Sequence, residues 1–561
     1  MQNETTERKR YKPFANDISD AKFGKYLIRI LAADKKIFFV AITYGIIIGL
    51  LTLSAPVSVQ LLINSLSFTG IFEPILVLGI ILLILVSLYG LMNILQLVIA
   101  ETFQRRFFSR MSGEIGMLLL NADHQSFEKA NQVELVNRFL ETTTIQKTMT
   151  ILLSKSFVIL FQSIAGLLLI AFYHPFFLMF TFLIPLSVIY IWKSFAPKAV
   201  LHAFGESRKK YDLVSFLEDV ANNQIIFKSQ HGRDYAKEKI NLLTGNYLEE
   251  RALHFRKLFS QVSLFYILYA FATTLLLILG GWLVLRGQLT IGQLVASELV
   301  ISAILFNISN LGQDFENFYQ IIASSEKLSQ FHNIPAESQK GKLKLDKFEE
   351  MRFDNVTCHY LRNEFKFNFK FCNNKNYLVL THGYSTKKII IETMLGFMPI
   401  ISGEFSINKT DIKKYDKYQL RSHIAVIDNS PLLEGTLREY LTFNNPNISD
   451  NYILKILEDF ELTDLILASQ KGLDLMVIPS GWPFSGGEKI ILKIVRALIQ
   501  KPQIIIATEA LDMLAPETRV KALEYLTSQE QASFIYFANR DDDKKAFDET
   551  LFIDKTSSRK K

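Results

Sequence analysis

Long stretches without charged residues dominate the first 312 residues of the chain. Asp, Glu, Lys and Arg are absent from 37–72, 74–100, 156–192 and 258–285, and a further apolar run covers 291–311. A helix needs about 20 apolar residues to cross about 30 Å of hydrocarbon, and buried soluble helices rarely run that far without charge. The pattern predicts six membrane-spanning helices, at about 37–62, 75–100, 151–173, 175–196, 263–285 and 291–312.

Lys and Arg are unevenly distributed between the connections of these spans. The connections at 65–73 and 174–175 carry none and the third has only Arg286, whereas 101–150 and 197–257 carry many. Loops rich in Lys and Arg stay in the cytoplasm. The N-terminus, both long loops and the C-terminal half are therefore predicted to be cytoplasmic. The formal net charge of +7 follows largely from this topology and implies no nucleic-acid partner.

Composition and the N-terminal segment narrow the class of protein further. With 49% hydrophobic and 21% charged residues the chain is not disordered, and its 2 Cys cannot form a disulfide scaffold. The first 36 residues lack the short apolar segment of a signal peptide. Apolar residues recur there at helical spacing, at Phe23, Tyr26, Leu27, Ile30 and Leu31. This predicts a helix in the membrane interface; a soluble amphipathic helix is the alternative.

The two long loops have helical patterns with one break each, near Asn121–His124 and near Gln230–Gly232. A hairpin of two helices made from about 50 residues extends a span by about 30 to 35 Å into the cytoplasm. Its tip can then contact a cytoplasmic domain.

The character of the sequence changes after the last span. Short apolar strands at 377–381, 424–427, 503–507 and 534–537 alternate with helical patterns at about 387–396, 452–460, 487–500 and 517–528. Such alternation predicts an α/β domain. We expect a cytoplasmic N-terminus with the interfacial helix (1–36), a membrane domain with two long helical loops (37–325), a linker (326–349) and the α/β domain (350–561).

The most specific motif is Ser485-Gly486-Gly487-Glu488. It precedes a helix carrying Val495-Arg496-Ala497-Leu498, then Lys501-Pro502 and an apolar strand ending at Thr508-Glu509. A hydroxyl and bare backbone N–H groups at a helix N-terminus favour phosphate. Ser-Gly-Gly alone would be an ordinary helix-entry turn, but its position before this helix and strand indicates a functional motif.

Over nearly its whole length the chain resembles a half-transporter of the ATP-binding cassette (ABC) exporter family. The resemblance implies six membrane helices in the type 1 exporter arrangement and an α/β nucleotide-binding domain of the P-loop class. It also implies that two cassettes dimerise, so that each nucleotide lies between the phosphate loop of one and the Ser-Gly-Gly signature of the other. The breaks in the long loops resemble the coupling helices of the family.

The phosphate loop departs from the family pattern G-x-x-x-x-G-K-[ST]. The equivalent stretch here is Thr381-His-Gly-Tyr-Ser-Thr-Lys387-Lys388. Lys387 takes the place of the phosphate lysine, Thr381 and Thr386 replace the motif glycines, Tyr384 replaces an internal glycine and Lys388 replaces the hydroxyl that binds magnesium. A β-carbon at a position that needs positive φ costs about 1 kcal/mol or more.

Other nucleotide-contacting positions also differ from the family. The strand that should end in Asp-Glu ends in Thr508-Glu509, so a residual catalytic Glu is left without the metal carboxylate. Ala515 stands in place of an Asp and Asn539 in place of the switch His, and Asp428-Asn429 lies in the loop that usually carries Gln. Tyr360 stands where an aromatic residue stacks on adenine; an ordinary strand-end Tyr is the alternative. The nucleotide-contacting set is thus Tyr360, Thr386, Lys387 and Lys388.

The altered residues all act on the nucleotide of their own subunit, whereas Ser485, Gly486 and Gly487, which act on the partner's nucleotide, are retained. The resemblance therefore implies a heterodimer with a second half-transporter, ATP bound weakly or only with that partner, and Mg²⁺ only at the partner's site. A homodimer that acts as a regulator or assembly platform is the alternative. We expect residence in the bilayer of a bacterial inner membrane, with secretion accessory proteins as further candidate partners.

Glu298 lies inside the last predicted span. Carboxylates in a membrane are energetically expensive and usually face a cavity or a partner. Glu298 is therefore expected to line the translocation path and to recognise a cationic or polar group. The alternative is a Glu near the outer end of the helix that reaches interfacial water.

Overall fold

The computed structural model describes residues 20–561, except 69–71, 130–131, 362, 382, 464–465, 467–468, 542, 555–557 and 561. It divides into two compact units. The first runs to Ala336 without Asp123–Gln125, and the second comprises Asp123–Gln125 and Glu337–Lys561. The basic residues of 1–19, on which the predicted orientation of the N-terminus partly depends, lie outside the described residues.

The first unit is helical. Its helices are α1 Asp20–Ala32, α2 Lys35–Leu51, α3 Ser54–Phe68, α4 Glu73–Leu120, α5 His124–Lys129, α6 Gln132–Asn137, α7 Glu141–Ile151, α8 Phe157–Tyr173, α9 Leu178–Asn222, α10 Gln224–Phe227, α11 Gln230–Leu285 and α12 Ile291–Ser329. Among the described residues, six segments are long and apolar enough to cross a membrane: Lys35–Ser67, Glu73–Leu120, Leu135–Tyr173, Pro175–Asn222, Gln230–Leu285 and Ile291–Asn333. The six predicted spans are therefore confirmed.

The first span is broken into two helices, α2 and α3, which the sequence pattern does not predict. Pro56 lacks the N–H that would bond to the carbonyl of Thr52. The hydroxyl of Thr52 donates to the carbonyl of Gly49 at 2.7 Å and so does not replace that bond. The missing backbone bond explains why the helix is interrupted here although its side chains stay apolar.

The long loops form helical extensions of the spans. The break after α4 lies at 121–123, as predicted, whereas the second break lies at Asn223 and at Lys228–Ser229 rather than at Gln230–Gly232. The N–H of Gly232 donates to Ser229 Oγ at 3.1 Å, so Gly232 belongs to the first turn of α11. That helix has 56 residues and is about 84 Å long at 1.5 Å per residue.

The core of the first unit is formed where α12 packs on its neighbours. Val300 and Ile304 on α12 are buried. A β-carbon added to Gly166 of α8 would lie 2.7 Å from Val300 and 2.9 Å from Ile304. The glycine thus permits the close approach of the two helices.

The second unit contains a six-stranded sheet and a separate antiparallel sheet. Its strands are β1 Glu350–Tyr360, β2 Asn363–Cys372, β3 Tyr377–Thr381, β4 Ser402–Ile407, β5 Thr410–Asp411, β6 Ile424–Ile427, β7 Gly435–Thr436, β8 Met476–Val477, β9 Ile504–Ala507, β10 Ser533–Ala538, β11 Glu549–Ile553 and β12 Ser558–Lys560. Its described α-helices are α13 Tyr384–Met394, α14 Lys417–Ser422, α15 Leu437–Thr442, α16 Asp450–Asp459, α17 Gly486–Gln500 and α18 Pro516–Thr527. The four predicted strands and four predicted helices are confirmed.

The larger sheet has the order β12-β11-β3-β10-β9-β6, and all its pairs except β11–β12 are parallel. Parallel strands place their carboxyl ends at one edge, where α/β proteins bind ligands. Thr381, Thr508 and Asn539 end or follow three of these strands. The topology therefore brings the residues that the sequence singles out to the same edge.

The second sheet, in the order β2-β1-β4-β5, was not predicted from the sequence. Phenylalanine alternates with polar residues along β2, and the buried phenylalanines are Phe365, Phe367, Phe369 and Phe371. This period-2 pattern is typical of a strand with one buried face.

Candidate functional site

The connection between β3 and α13 is short. The strand ends at Thr381 and the helix begins at Tyr384, with Gly383 at φ +89° before it. The N–H of Thr386 donates to the carbonyl of Gly383 at 3.3 Å. Positions 384–386 therefore form the first helical turn, so the described residues before Lys387 do not form a wide loop of free backbone N–H groups. The side chain of Tyr384 lies outside the described residues.

Lys387 is buried and is held by two groups of the same chain. Its ammonium donates to Glu509 Oε2 at 3.0 Å and to Asn539 Oδ1 at 2.7 Å. Only 4% of the residue is exposed. The structure thus brings together the expected phosphate lysine, the residual Glu and the residue in the switch position, and it pairs their polar atoms with one another.

Lys388 and Tyr360 form a second contact at this edge. The ammonium of Lys388 lies 5.6 Å from the centre of the Tyr360 ring, within the range of a cation–π interaction. It also lies 3.6 Å from the Glu392 carboxylate, one turn further along α13. The face of Tyr360 that could stack on a base therefore has a cation beside it.

Thr508 makes backbone contacts where the family resemblance would place a metal carboxylate. Its hydroxyl donates to the carbonyl of Ile427 at 3.3 Å and accepts from the N–H of Ala510 at 3.3 Å. Mg²⁺ requires several oxygen ligands in near-octahedral geometry. With Glu509 bonded to Lys387 and Thr508 bonded to backbone, these residues do not fit a magnesium ion with its nucleotide.

Asp512 is a member of this network that the sequence analysis missed. Its Oδ1 accepts from the hydroxyl of Tyr536 at 2.6 Å, and its Oδ2 lies 3.5 Å from Asn539 Nδ2. Burial, reinforced by the bond to Asp512, raises the pKa of Tyr536 well above its usual range, so the phenol stays a donor. The contact joins residues 24 positions apart, and no spacing motif marks it.

A buried lysine from α17 reaches the loop that follows β6. The loop contains Asp428, and Lys493 Nζ lies 3.0 Å from Asp428 Oδ1. The N–H of Thr508 donates to Ile427, the last residue of β6, at 2.9 Å. This loop therefore lies next to Thr508-Glu509, although nothing in the sequence pattern pointed to Lys493.

The Ser-Gly-Gly motif begins α17 with a reciprocal cap. The N–H of Glu488 donates to Ser485 Oγ at 3.3 Å, and the N–H of Ser485 donates to Glu488 Oε2 at 2.6 Å. A β-carbon at Gly486 would meet only Met513 Cε, at 3.4 Å, and one at Gly487 would meet no described atom nearer than 3.9 Å. Packing within the chain therefore does not require either glycine.

Two further candidate residues lie away from these contacts. Ala515 precedes α18 and provides no side-chain cap to it. In the first unit, Glu298 Oε1 accepts from the hydroxyl of Ser302 at 2.7 Å, while its Oε2 is buried without a hydrogen-bond partner among the described residues. Glu298 thus has one carboxylate oxygen open to a further donor.

Comparison with known proteins agrees with this architecture. The family model described as ABC transporter matches residues 374–512. The mitochondrial iron-sulfur clusters transporter ATM1 of Kluyveromyces lactis is 28% identical over 284 residues, which cover 49% of this chain and 39% of that protein. The leukotoxin translocation ATP-binding protein LktB of Mannheimia glucosida is 27% identical over 246 residues, covering 42% and 34% respectively. The chain thus spans about two fifths of the length of these curated relatives.

Structural similarity extends over both units. A solved structure entitled "Structure of a bacterial Atm1-family ABC exporter with ATP bound" matches with a TM-score of 0.82 at 16% sequence identity, over 94% of this chain and 95% of that one. At this identity the similarity shows the fold. The chain therefore has the fold of an ABC exporter, with six helices that can cross a membrane and an α/β unit that matches the ABC transporter model.

Proposed function

We propose that this chain is one subunit of an ATP-powered membrane exporter. In this proposal its own nucleotide site does not hydrolyse ATP, and its Ser485–Gly487 signature acts on nucleotide held by a partner half-transporter with intact motifs. The N- and C-termini face the cytoplasm, and Mg²⁺ binds only at the site of the partner.

The observation that carries the proposal is the contact of buried Lys387 with Glu509 and Asn539. Glu509 and Asn539 take two of the three N–H donors of Lys387, so a phosphate group that took more than the remaining one would compete with the Glu509 carboxylate and displace it. Once displaced, that carboxylate would lose its cation beside the added negative charge of the nucleotide. Such repulsion in a partly buried site is costly, and Thr508 and Lys388 supply no metal ligand to offset it.

The signature supports the second half of the proposal. Glycine in a helix is less favourable than alanine by about 1 kcal/mol, and chain packing does not require Gly486 or Gly487. Two glycines that the fold itself does not need are explained when backbone N–H groups must closely approach a ligand from outside the chain. A nucleotide phosphate at the N-terminus of α17 is such a ligand.

The decisive experiment isolates the complex from native membranes through a tag on this chain and measures magnesium-dependent ATP hydrolysis. We expect a second half-transporter with an intact phosphate loop and an Asp-Glu pair, and hydrolysis by the complex. The purified chain alone should stay at background. Robust hydrolysis by the chain alone that Glu509→Gln abolishes would refute the proposal, and a complex of one chain type without hydrolysis would favour a homodimeric regulator.

Within this function, we assign Glu298 to the translocation path as a site for a cationic or polar group of the cargo. Its unpartnered Oε2 supports the assignment, because a carboxylate oxygen in a membrane requires a donor or a proton. Glu298→Gln should reduce export by the assembled complex while leaving membrane insertion unchanged. Unchanged export would remove Glu298 from the path.

A further inference from the structure

The ammonium of Lys493 lies at the centre of a cage of oxygens. It contacts the backbone carbonyl of Asp428 at 2.7 Å and Asp428 Oδ1 at 3.0 Å. It also contacts the backbone carbonyl of Ser430 at 2.5 Å and Ser430 Oγ at 3.1 Å. Because two of the four acceptors are main-chain carbonyls, the lysine fixes the backbone of the loop at 428–430.

Hydrogen bonds within the loop also join Ser430 to the carboxylate of Asp428. Asp428 Oδ1 accepts from Ser430 Oγ at 2.6 Å and from the N–H of Ser430 at 3.1 Å. Burial tends to raise the pKa of Asp428, but the bonds from Ser430 and the charge of Lys493 outweigh it and hold that pKa below its usual value. The pKa of Lys493 is lowered by burial, which its pairing with Asp428 only partly offsets. The loop is therefore ordered by a cation that is energetically expensive to bury.

Lys493 connects two parts of the candidate site. It belongs to α17, whose N-cap is the signature residue Ser485, eight residues and about 12 Å away along the helix. At the other side of the cage, the loop follows β6, whose last carbonyl accepts from Thr508. The contact thus spans from the signature helix to the strand end beside Glu509.

We propose that Lys493 is a positioning residue that couples the loop at 428–430 to the signature helix, so that the two move as one body. A buried ion pair often adds little net stability and instead selects one conformation. The coupling therefore predicts that removing Lys493 disorders the loop locally, to a degree that the modest loss of stability from an unpaired Asp428 does not account for. The inference concerns only this chain and holds whether or not its own site hydrolyses ATP.

Hydrogen exchange of the full chain in detergent tests this inference. In Lys493→Met, which keeps length and removes charge, amides of 428–434 should exchange about tenfold faster or more, because several hydrogen bonds to a charged group are lost. The thermal midpoint should fall modestly, because Asp428 keeps its charge, and adding Asp428→Asn should recover most of the fall. Lys489→Met is the matched control, since Lys489 lies on the same helix but is partly exposed and donates to the backbone carbonyl of Ser480, and it should leave 428–434 unchanged.

A second set of variants tests coupling rather than order. Glu488→Ala removes the cap of α17 and should accelerate exchange at 428–434 when Lys493 is present, but add nothing in the Lys493→Met background. If Lys493→Met does not fold, Asp428→Asn combined with Ser430→Ala substitutes for it in both measurements. Unchanged exchange at 428–434, or equal effects of Glu488→Ala in both backgrounds, would overturn the proposal. A loss of protection spread evenly over the cassette, rather than concentrated at 428–434, would also overturn it, since it indicates a merely structural contact.

Discussion

The carboxyl edge of the parallel sheet and the N-terminus of α17 differ in whether their polar groups are paired within the chain. At the sheet edge, Lys387 and Lys493 are buried and each is surrounded by oxygens of the chain itself. At the helix N-terminus, Gly486 and Gly487 leave space that no described residue fills closely. The oxygens of the first region are paired with lysines of the chain, whereas the second region leaves open space that the proposed function assigns to a nucleotide held by a partner.

This difference separates two tasks that a nucleotide-binding domain usually combines. A site that binds nucleotide in its own subunit has to leave charges available for phosphate and metal. A signature has only to present a hydroxyl and backbone N–H groups to a nucleotide held elsewhere. In the proposed function, the chain keeps the geometry of the second task, while its lysines pair with the groups that would serve the first.

The largest effect is expected at the signature. Gly487→Val adds a side chain where the fold has room but where a ligand phosphate would approach, so ATP hydrolysis by the partner complex should fall about 100-fold. Gly245→Val in α11, another helical glycine with open space around it, is the control and should retain hydrolysis. Full hydrolysis by the Gly487→Val complex would contradict the proposed role of the signature, and with it the contrast between the two regions.

The next effect concerns stability at the sheet edge. Lys387→Met leaves the Glu509 carboxylate without its cation and should lower the free energy of unfolding of the cassette by about 2 kcal/mol. This corresponds to a fall of about 4 to 8 °C in the thermal midpoint of the detergent-purified chain. Lys387→Met with Glu509→Leu removes both charges and should recover most of the loss. No loss in the single variant would show that the contact is not a stabilising pair.

A smaller effect is expected from pH at the loop after β6. The folded pKa of Asp428 lies below its ordinary value of about 3.9, so its ionised form stabilises the fold above that pH. This contribution is lost as the pH falls through the folded pKa. The difference in thermal midpoint between the natural chain and Asp428→Asn should therefore shrink between about pH 5 and pH 3. A pH-independent difference would contradict this titration.

The smallest effect is expected at Tyr360. Tyr360→Leu removes the ring beneath Lys388 and should cost about 0.5 to 1 kcal/mol of stability, measured as a small fall in the thermal midpoint. Tyr360→Phe keeps the ring and should show no fall. If ATP raises the midpoint of the natural chain alone but not that of Tyr360→Leu, the ring stacks on a base and the sheet edge is not closed to nucleotide.

Sequence patterns predicted the elements of this fold better than their long-range contacts. Runs of apolar residues located all six spans and four of the five described parallel strands, because burial in lipid or between helices leaves a strong local signal; β11 was missed. The break at Thr52 depends on one missing N–H, so apolar counting did not detect it. The contacts of Lys493 with Asp428 and of Tyr536 with Asp512 join residues 65 and 24 positions apart. No repeating pattern of neighbouring residues indicates pairs that are so far apart in the sequence.

The cap of α17 has a consequence for association. Ser485 and Glu488 fix each other through two reciprocal bonds within the folded chain. The conformational entropy of ordering this turn is therefore lost during folding and not when a second subunit arrives. A surface that is rigid before contact can retain a partner longer for the same number of contacts.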